Sequence, residues 1–406
     1  MAIGVRGIRA AACMIGLAGV VAAAGCSSGG GGSTSSAATP KAADKATGSP
    51  IVVASIIGPQ QPADDQAGIN SAVNDINAHG GVGGHPLRVI YCNDNGDANT
   101  AAACARSAIA NKSVVAAVSD DTNYGSAVDP ILTQAGIAMI GGVAFTTADF
   151  TSKNFFSYQA GNFEVAGEAA IAADQLHAKK IFMPYLDIPA GSSLPPLINA
   201  TLAPRGQKLA GSLAIPVTAT DLSSYVAKVQ QAHPDAIITA LTTDLAGRFV
   251  QTARQEGIQT PIFVLGGVYD PSTIQSQLGG AATNLYVASR LNLSSPAFQQ
   301  MSDDLTTYQP SYKKRNTQIL SEWGGVQLFA YVAAHAGKIS RTSVLNTANH
   351  VTGWQYKGLT PPVNFTTPQT ALGGTIPRMV NLTVYGYKWN SSKLAPIGGL
   401  VNLFSK

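Results

Sequence analysis

Gly80, Gly81, Gly83 and Gly84 crowd into five consecutive residues between His79 and His85. Such a run cradles a phosphate when it follows a strand and opens a helix, because the helix N-terminal N–H groups then face the anion. Here the order is reversed. The preceding stretch DDQAGINSAVNDINAHGG sets Ile69, Ala72, Val73 and Ile76 at helical spacing, with Asp64 and Asp65 at its start. The following LRVIYC is a β-type run. The glycines therefore close a helix, where the dipole repels phosphate, and no Gly-Lys-Ser/Thr follows. Gly80 and Gly81 are expected to stop the helix in left-handed geometry, Gly83 and Gly84 to turn the chain, and Pro86 to fix the start of the strand. Thiol chemistry reduces to Cys92 and Cys104, which read as a disulfide in an exported chain. A zinc site with His79 or His85 is the rival reading, but the spacing fits no zinc pattern, so no metal and no cofactor are expected. There is no Gly-x-Ser-x-Gly elbow, no His-Glu-x-x-His helix and no free thiol, so catalysis is not expected.

The ends explain the other two cysteines. Arg6 and Arg9 precede the apolar Met14, Ile15, Leu17, Val20 and Val21, and small residues run to Cys26. Residues 1–25 read as a secretory signal peptide, which removes Cys13. The ending AAGC resembles the lipobox of bacterial lipoproteins, with Ala23 where leucine is usual, and makes Cys26 the expected lipidation site. Residues 27–50, SSGGGGSTSSAATPKAADKATGSP, contain no large apolar residue and read, with Cys26, as a flexible tether over 26–50. Charged residues make up only 12% of the chain, and two units of the formal net charge of +4 belong to Arg6 and Arg9. No basic cluster exceeds Tyr312 to Arg315, so nucleic acid is not an expected partner. No later stretch has the roughly 18 continuous apolar residues of a membrane span, so the lipid is the only expected membrane contact.

The rest alternates strands with helices. IVVASII, LRVIYC, VVAAVS, AMIGG and FFSYQ form one series. KIFMPYL, LAGSLAIP, DAIITAL, PIFVLG and LYVASRL form a second. Helices fall between them, and a further helix is carried by ILSEWGGVQLFAYVAAHAG. Alternation means parallel sheets, and strands apolar throughout mean sheets covered on both faces. The expectation is an α/β protein of two Rossmann-like lobes with a ligand between them, beyond the strand ends.

The stretch AGINSAVNDINAHGGVGGHPLRVIYCNDNGDANTAAACARSAI resembles the opening of type I periplasmic binding proteins. It is most similar to the branched-chain amino-acid (Leu/Ile/Val) binding group of ABC importers, and QAGIAMIGGVAFTTADF resembles that family's next landmark. The resemblance implies two lobes joined by three hinge strands, with 51–160 plus about 290–376 in lobe 1 and 161–289 plus about 377–406 in lobe 2. It implies a monomer held on the outer face of the cytoplasmic membrane, capturing a small molecule for an ABC permease; a tethered ligand sensor is the alternative. By the family pattern, hydroxyls and backbone groups of two first-lobe loops hold the ligand. These are Thr122, Asn123 and Tyr124 after the third strand, and Ala144, Phe145 and Thr146 after the fourth, the threonines being equally suited to helix capping. The glutamate expected in the second lobe is replaced by Gly267. Tyr185, Asp187, Asp244, Tyr269 and Asp270, at second-lobe strand ends, could substitute, Asp270 before Pro-Ser being equally suited to helix capping. The ligand class stays open among amino acids, other small carboxylates, amides and aromatic compounds.

Overall fold

Seven consecutive residues, Ile51–Ile57 (β1), are all buried, as an apolar β-branched run must be when a sheet is covered on both faces. The structure, a computed structural model, describes residues 46–267 and 269–406. The signal segment, the expected lipidation site Cys26 and the tether as far as residue 45 lie outside the described residues. After β1 comes α1 (Pro62–Ala78), with Pro at its start and Asp64 and Asp65 in its first turn. It ends as expected: Gly80 and Gly81 take φ of 95° and 72°, and the Gly81 N–H donates to the Ile76 carbonyl at 2.8 Å. Gly83 and Gly84 also have positive φ and turn the chain into β2 (Leu87–Asn93).

Then follow α2 (Ala98–Ala110), β3 (Val114–Val118), α3 (Gly125–Gln134), β4 (Ala138–Ile140), α4 (Thr147–Thr151) and β5 (Phe155–Phe156). These five strands form one parallel sheet in the order β2-β1-β3-β4-β5. The Cys92–Cys104 disulfide links β2 to α2 with Cα atoms 5.7 Å apart, as expected.

The chain leaves this sheet through α5 (Glu164–Gln175) and builds β6 (Ile181–Leu186), β7 (Gly211–Ile215), β8 (Ala236–Ile238), β9 (Ile262–Leu265) and β10 (Leu285–Ser289). It returns to lay helices Pro296–Tyr308, Thr317–His335 and Arg341–Asn349 on the first sheet, with a small hairpin of β11 (Thr352–Trp354) and β12 (Val363–Asn364). Finally β13 (Thr383–Asn390) pairs antiparallel with β10, flanked by β14 (Lys393–Pro396) and β15 (Val401–Asn402). The second sheet runs β14-β13-β10-β9-β8-β6-β7. The chain therefore passes between the two sheets three times. Hydrogen bonds tie the passages together: Arg290 Nε donates to Gln159 Oε1 at 2.6 Å, and Asn381 Nδ2 to the Tyr158 carbonyl at 3.0 Å.

Helix Thr317–His335 is buried almost throughout and decides what reaches the space between the sheets. It can lie so close because glycines stand at its contacts, on its neighbour α1 and within the helix itself. A Cβ on Gly68 of α1 would stand 2.4 Å from the Ile319 carbonyl oxygen, and one on Gly325 2.2 Å from Ser119 Oγ. That approach delivers Gln318, Ser321 and Glu322 to the inner ends of β1 and β3.

Candidate functional site

A cavity of about 200 Å³ lies where the carboxyl ends of both sheets face each other. The loop after β1 supplies Gln60 and Gln61, that after β3 Asp121 and Asn123, and that after β4 Phe145. The first passage between sheets supplies Asn162, Glu164 and Val165. Leu265 ends β9 and Gly267 follows it, Arg290 follows β10, and Gln318 comes from the buried helix. Crevices beyond strand ends are where open α/β sheets bind ligands. A larger depression of about 640 Å³ opens at the starts of β1 and β3. It is lined from the first sheet and its helices alone, and its Arg341 is spent on the carbonyls of Val114 and Asn111, so we place the candidate site in the cleft.

Charge organises the cleft floor. Arg290 is buried and its Nη1 donates to Glu164 Oε2 at 2.9 Å. Its Nη2 donates to Gln318 Oε1 at 2.7 Å, and its backbone N–H to Glu164 Oε1 at 3.2 Å. Burial pushes the Glu164 carboxyl up, and the guanidinium opposes that push. Gln318, so oriented, points Nε2 at three carboxyl groups: Asp121 Oδ2 at 2.8 Å, Asp65 Oδ1 at 2.9 Å and Glu322 Oε1 at 3.1 Å. An amide nitrogen has two hydrogens, so three acceptors cannot all be served, and a carboxyl must bring its own proton. Desolvation supplies the drive. Asp65 is pushed up to about 9 by burial and then by the Asp121 charge, and Glu322 is held well above its usual range by burial. Asp121 rises only to about 6, because Arg290 and a hydrogen bond with Asp65 oppose its burial. Asp65 Oδ2 and Glu322 Oε2 meet no N–H donor, as carboxyl O–H groups would not need to. These three carboxyls lie close enough to hold a metal ion. Gln318 Nε2 already stands among them, within hydrogen-bond distance of all three.

Of the residues expected from the sequence, Asn123 and Phe145 line the cavity. The others of the first lobe do not line it, and the hydroxyls of Thr122 and Tyr124 are bonded elsewhere. Thr122 donates to Asp94 Oδ2 at 2.5 Å and accepts from the Tyr124 N–H at 3.1 Å, which commits its one hydrogen. The Tyr124 hydroxyl donates to the Gly96 carbonyl. Ala144 is fully buried, and Thr146 is the N-cap residue of α4. Asp149 fixes this loop, accepting from the N–H groups of Phe145 at 2.8 Å and Thr146 at 2.6 Å.

The second-lobe candidates are not brought to the cavity. Tyr269 is buried in its own lobe and its hydroxyl donates to the Thr243 carbonyl at 2.6 Å. Asp244 is exposed and pairs with Arg248 at 2.9 Å. Asp187 is exposed, and Tyr185 packs beside Gly191. Asp270 caps the helix Pro271–Gln277, accepting from the Thr273 N–H at 2.8 Å. Their place is taken by Asp121, Asn162, Glu164, Arg290 and Gln318. Two of these carry a readable signal, since Arg290 is a lone charge closing an apolar strand and Asp121 ends another. Nothing in the spacing of Gln318 or Asn162 marks them.

The family described as "Periplasmic binding protein" matches residues 52–377. The chain belongs to that family. Its members are solute-binding proteins of the cell envelope rather than enzymes, so the protein works outside the cytoplasm and takes a small molecule. Among the described residues no helix is long and apolar enough to cross a membrane. The fold recurs in solved structures. An ABC transporter substrate-binding protein from Sphaerobacter thermophilus is 19% identical, with 88% of this chain and 99% of that one covered and a TM-score of 0.70. A substrate-binding periplasmic protein from Ralstonia solanacearum is 16% identical, with coverage of 87% and 99% and a TM-score of 0.69. A branched-chain amino acid transporter substrate binding protein from Streptococcus pneumoniae, solved with isoleucine, is 18% identical, with coverage of 86% and 99% and a TM-score of 0.66. No curated protein matches the sequence significantly.

Proposed function

We propose that the protein is the substrate-binding component of an ABC importer, tethered through a lipid on Cys26 and delivering a small organic solute to a membrane permease. The observation that carries this reading is the cavity itself: it is built from the strand ends of both sheets, and three chain passages beside it allow the lobes to close on a ligand. In this reading residues 51–160 with about 290–376 move as one lobe, and 161–289 with about 377–406 as the other. Phe145, Val165 and Leu265 cover the ligand's apolar part, while the polar floor orients it. The isoleucine held by the Streptococcus pneumoniae relative makes amino acids the first compounds to try.

The test has two arms on the same protein. Full-length chain should partition with membranes, and Cys26→Ser should not. A thermal-shift screen of amino acids, amides, amines and aromatic acids should yield a hit, and a ligand at a hundred times its Kd adds about 2.7 kcal/mol of stability. Unchanged membrane retention of the variant would sink the anchor. A screen in which no compound raises the melting temperature would sink the binding function.

A further inference from the structure

Hydrogen-bonding capacity in the cleft is unevenly spent. Three ionisable side chains line it: Asp121, Glu164 and Arg290. Both Glu164 oxygens accept from Arg290, so this cation and this anion cancel. Nε of the same guanidinium is shared between Gln159 at 2.6 Å and Ser321 at 3.1 Å, and Nη2 bonds Gln318. A ligand carboxylate drawn to its remaining hydrogens would lie alongside Glu164 and face Asp121, with no further cation to offset it. Asp121 is the lining charge left without a matching cation. The same cavity holds a second unmet acceptor. Asn162 gives its Nδ2 to the Phe145 carbonyl at 3.2 Å, and its Oδ1, though buried, has no partner.

Among the described residues, the only acidic side chain the second lobe brings to the cavity is Glu164, already paired with Arg290. Gly267 leaves a gap, and a Cβ there would meet within 4 Å only Arg290 Nη1 at 3.7 Å and Glu164 Oε2 at 3.9 Å. The cleft's unmet demand is thus for hydrogen-bond donors and positive charge, and it sits on Asp121 after β3 and on Asn162 of the first passage.

We infer that this cleft selects its ligand through an ammonium group seated on Asp121 and the Asn162 amide oxygen, and does not require a ligand carboxylate. The inference rests on the solute-binding reading and deepens it by naming the head group. It places the ammonium seat after β3 and on the first passage rather than at position 267, where the family resemblance expects the acid. The tail lies against Phe145, Val165 and Leu265, so the ligand is a small amine with a short apolar chain.

Leucine, leucinamide and 4-methylpentanoate share one carbon skeleton and differ only in the head. Calorimetry on the full folded chain should show leucinamide binding within a few-fold of leucine, and 4-methylpentanoate at least a hundredfold more weakly. Asp121→Asn keeps the shape of the side chain. It should weaken leucinamide roughly ten- to a hundredfold, the scale of a lost hydrogen bond to a charged group. Asn162→Asp adds a carboxylate at the same seat and should tighten leucinamide, which keeps the test open if Asp121→Asn fails to fold. The inference is overturned if 4-methylpentanoate binds as well as leucinamide, if none of the three binds, or if Asn162→Asp leaves leucinamide unchanged. The last three results leave the solute-binding reading standing so long as the wider screen gives a hit.

Discussion

Asp65 carries the clearest pH signature of any residue at the cleft. Its neighbours are Asp64 on its own helix, Asp121 at the end of β3, and Gln318 and Glu322 on the buried helix. Unfolded, its carboxyl ionises near 3.8; folded, it holds its proton up to about 9. Between those values the folded state binds the proton and the unfolded state does not, so stability falls as pH rises. Asp129, also pushed up to about 9, and Asp304, pushed to about 7, act in the same direction. The melting temperature should therefore drop from pH 5 to pH 8. Asp65→Asn, which keeps an N–H where the carboxyl proton was, should flatten part of that slope; identical slopes for the two proteins in calorimetry would remove Asp65 from the explanation. The sequence shows the Asp64–Asp65 pair as a helix start, which it is. It does not show that Gln318, about 250 positions away, comes to rest on it. Thr122 illustrates the same limit. The sequence marks the loop after β3 as cleft-facing, but the hydroxyl turns inward to Asp94 and its neighbour Asp121 faces the cavity.

At the scale of elements the chain is far more legible. Apolar runs of six to eight residues between helical stretches read as strands covered on both faces, and they locate β1, β2, β3 and β6 to within a residue at each end and β7 and β10 to within two. The glycines after α1 are read correctly because chain order alone decides between a phosphate loop and a helix stop. The Cys92–Cys104 bond also follows from counting, and its effect can be estimated from the loop it closes, whose ends are 12 apart in sequence. A loop of that size constrains the unfolded chain by about 3 kcal/mol. Cys92→Ser with Cys104→Ser should lose about that much in urea titration while leaving ligand affinity nearly unchanged, since the bond joins β2 to α2 and neither lines the cavity. A loss of affinity comparable with Asp121→Asn would mean that the β2–α2 corner positions the cleft. What the elements do not disclose is how near they approach. The contact of α1 with helix Thr317–His335 depends on Gly68, which looks in sequence like any helical glycine.

For the whole molecule, the two sheets are joined by three passages, and the first two carry cleft residues: Asn162 and Glu164 on one, Arg290 on the other. The Arg290–Glu164 pair therefore bonds one passage to the other at the floor of the cavity. Gln61, with its amide turned to face acceptors, reaches across from the first-lobe loop to the Gly267 carbonyl at 3.2 Å. The cleft is thus bridged by side chains, and a ligand between the lobes would add to contacts already made there. The account's central claim is that the ligand occupies this cavity, and Gly267 gives direct access to it. The residue has no positive φ, and a Cβ there makes only ordinary contacts, so a side chain can be added without straining the backbone. Calorimetric titration of Gly267→Leu with the best ligand from the thermal-shift screen is the decisive measurement. The account predicts at least a hundredfold loss of affinity with an unchanged melting temperature in the absence of ligand. Parent-like affinity in a folded Gly267→Leu protein would contradict it.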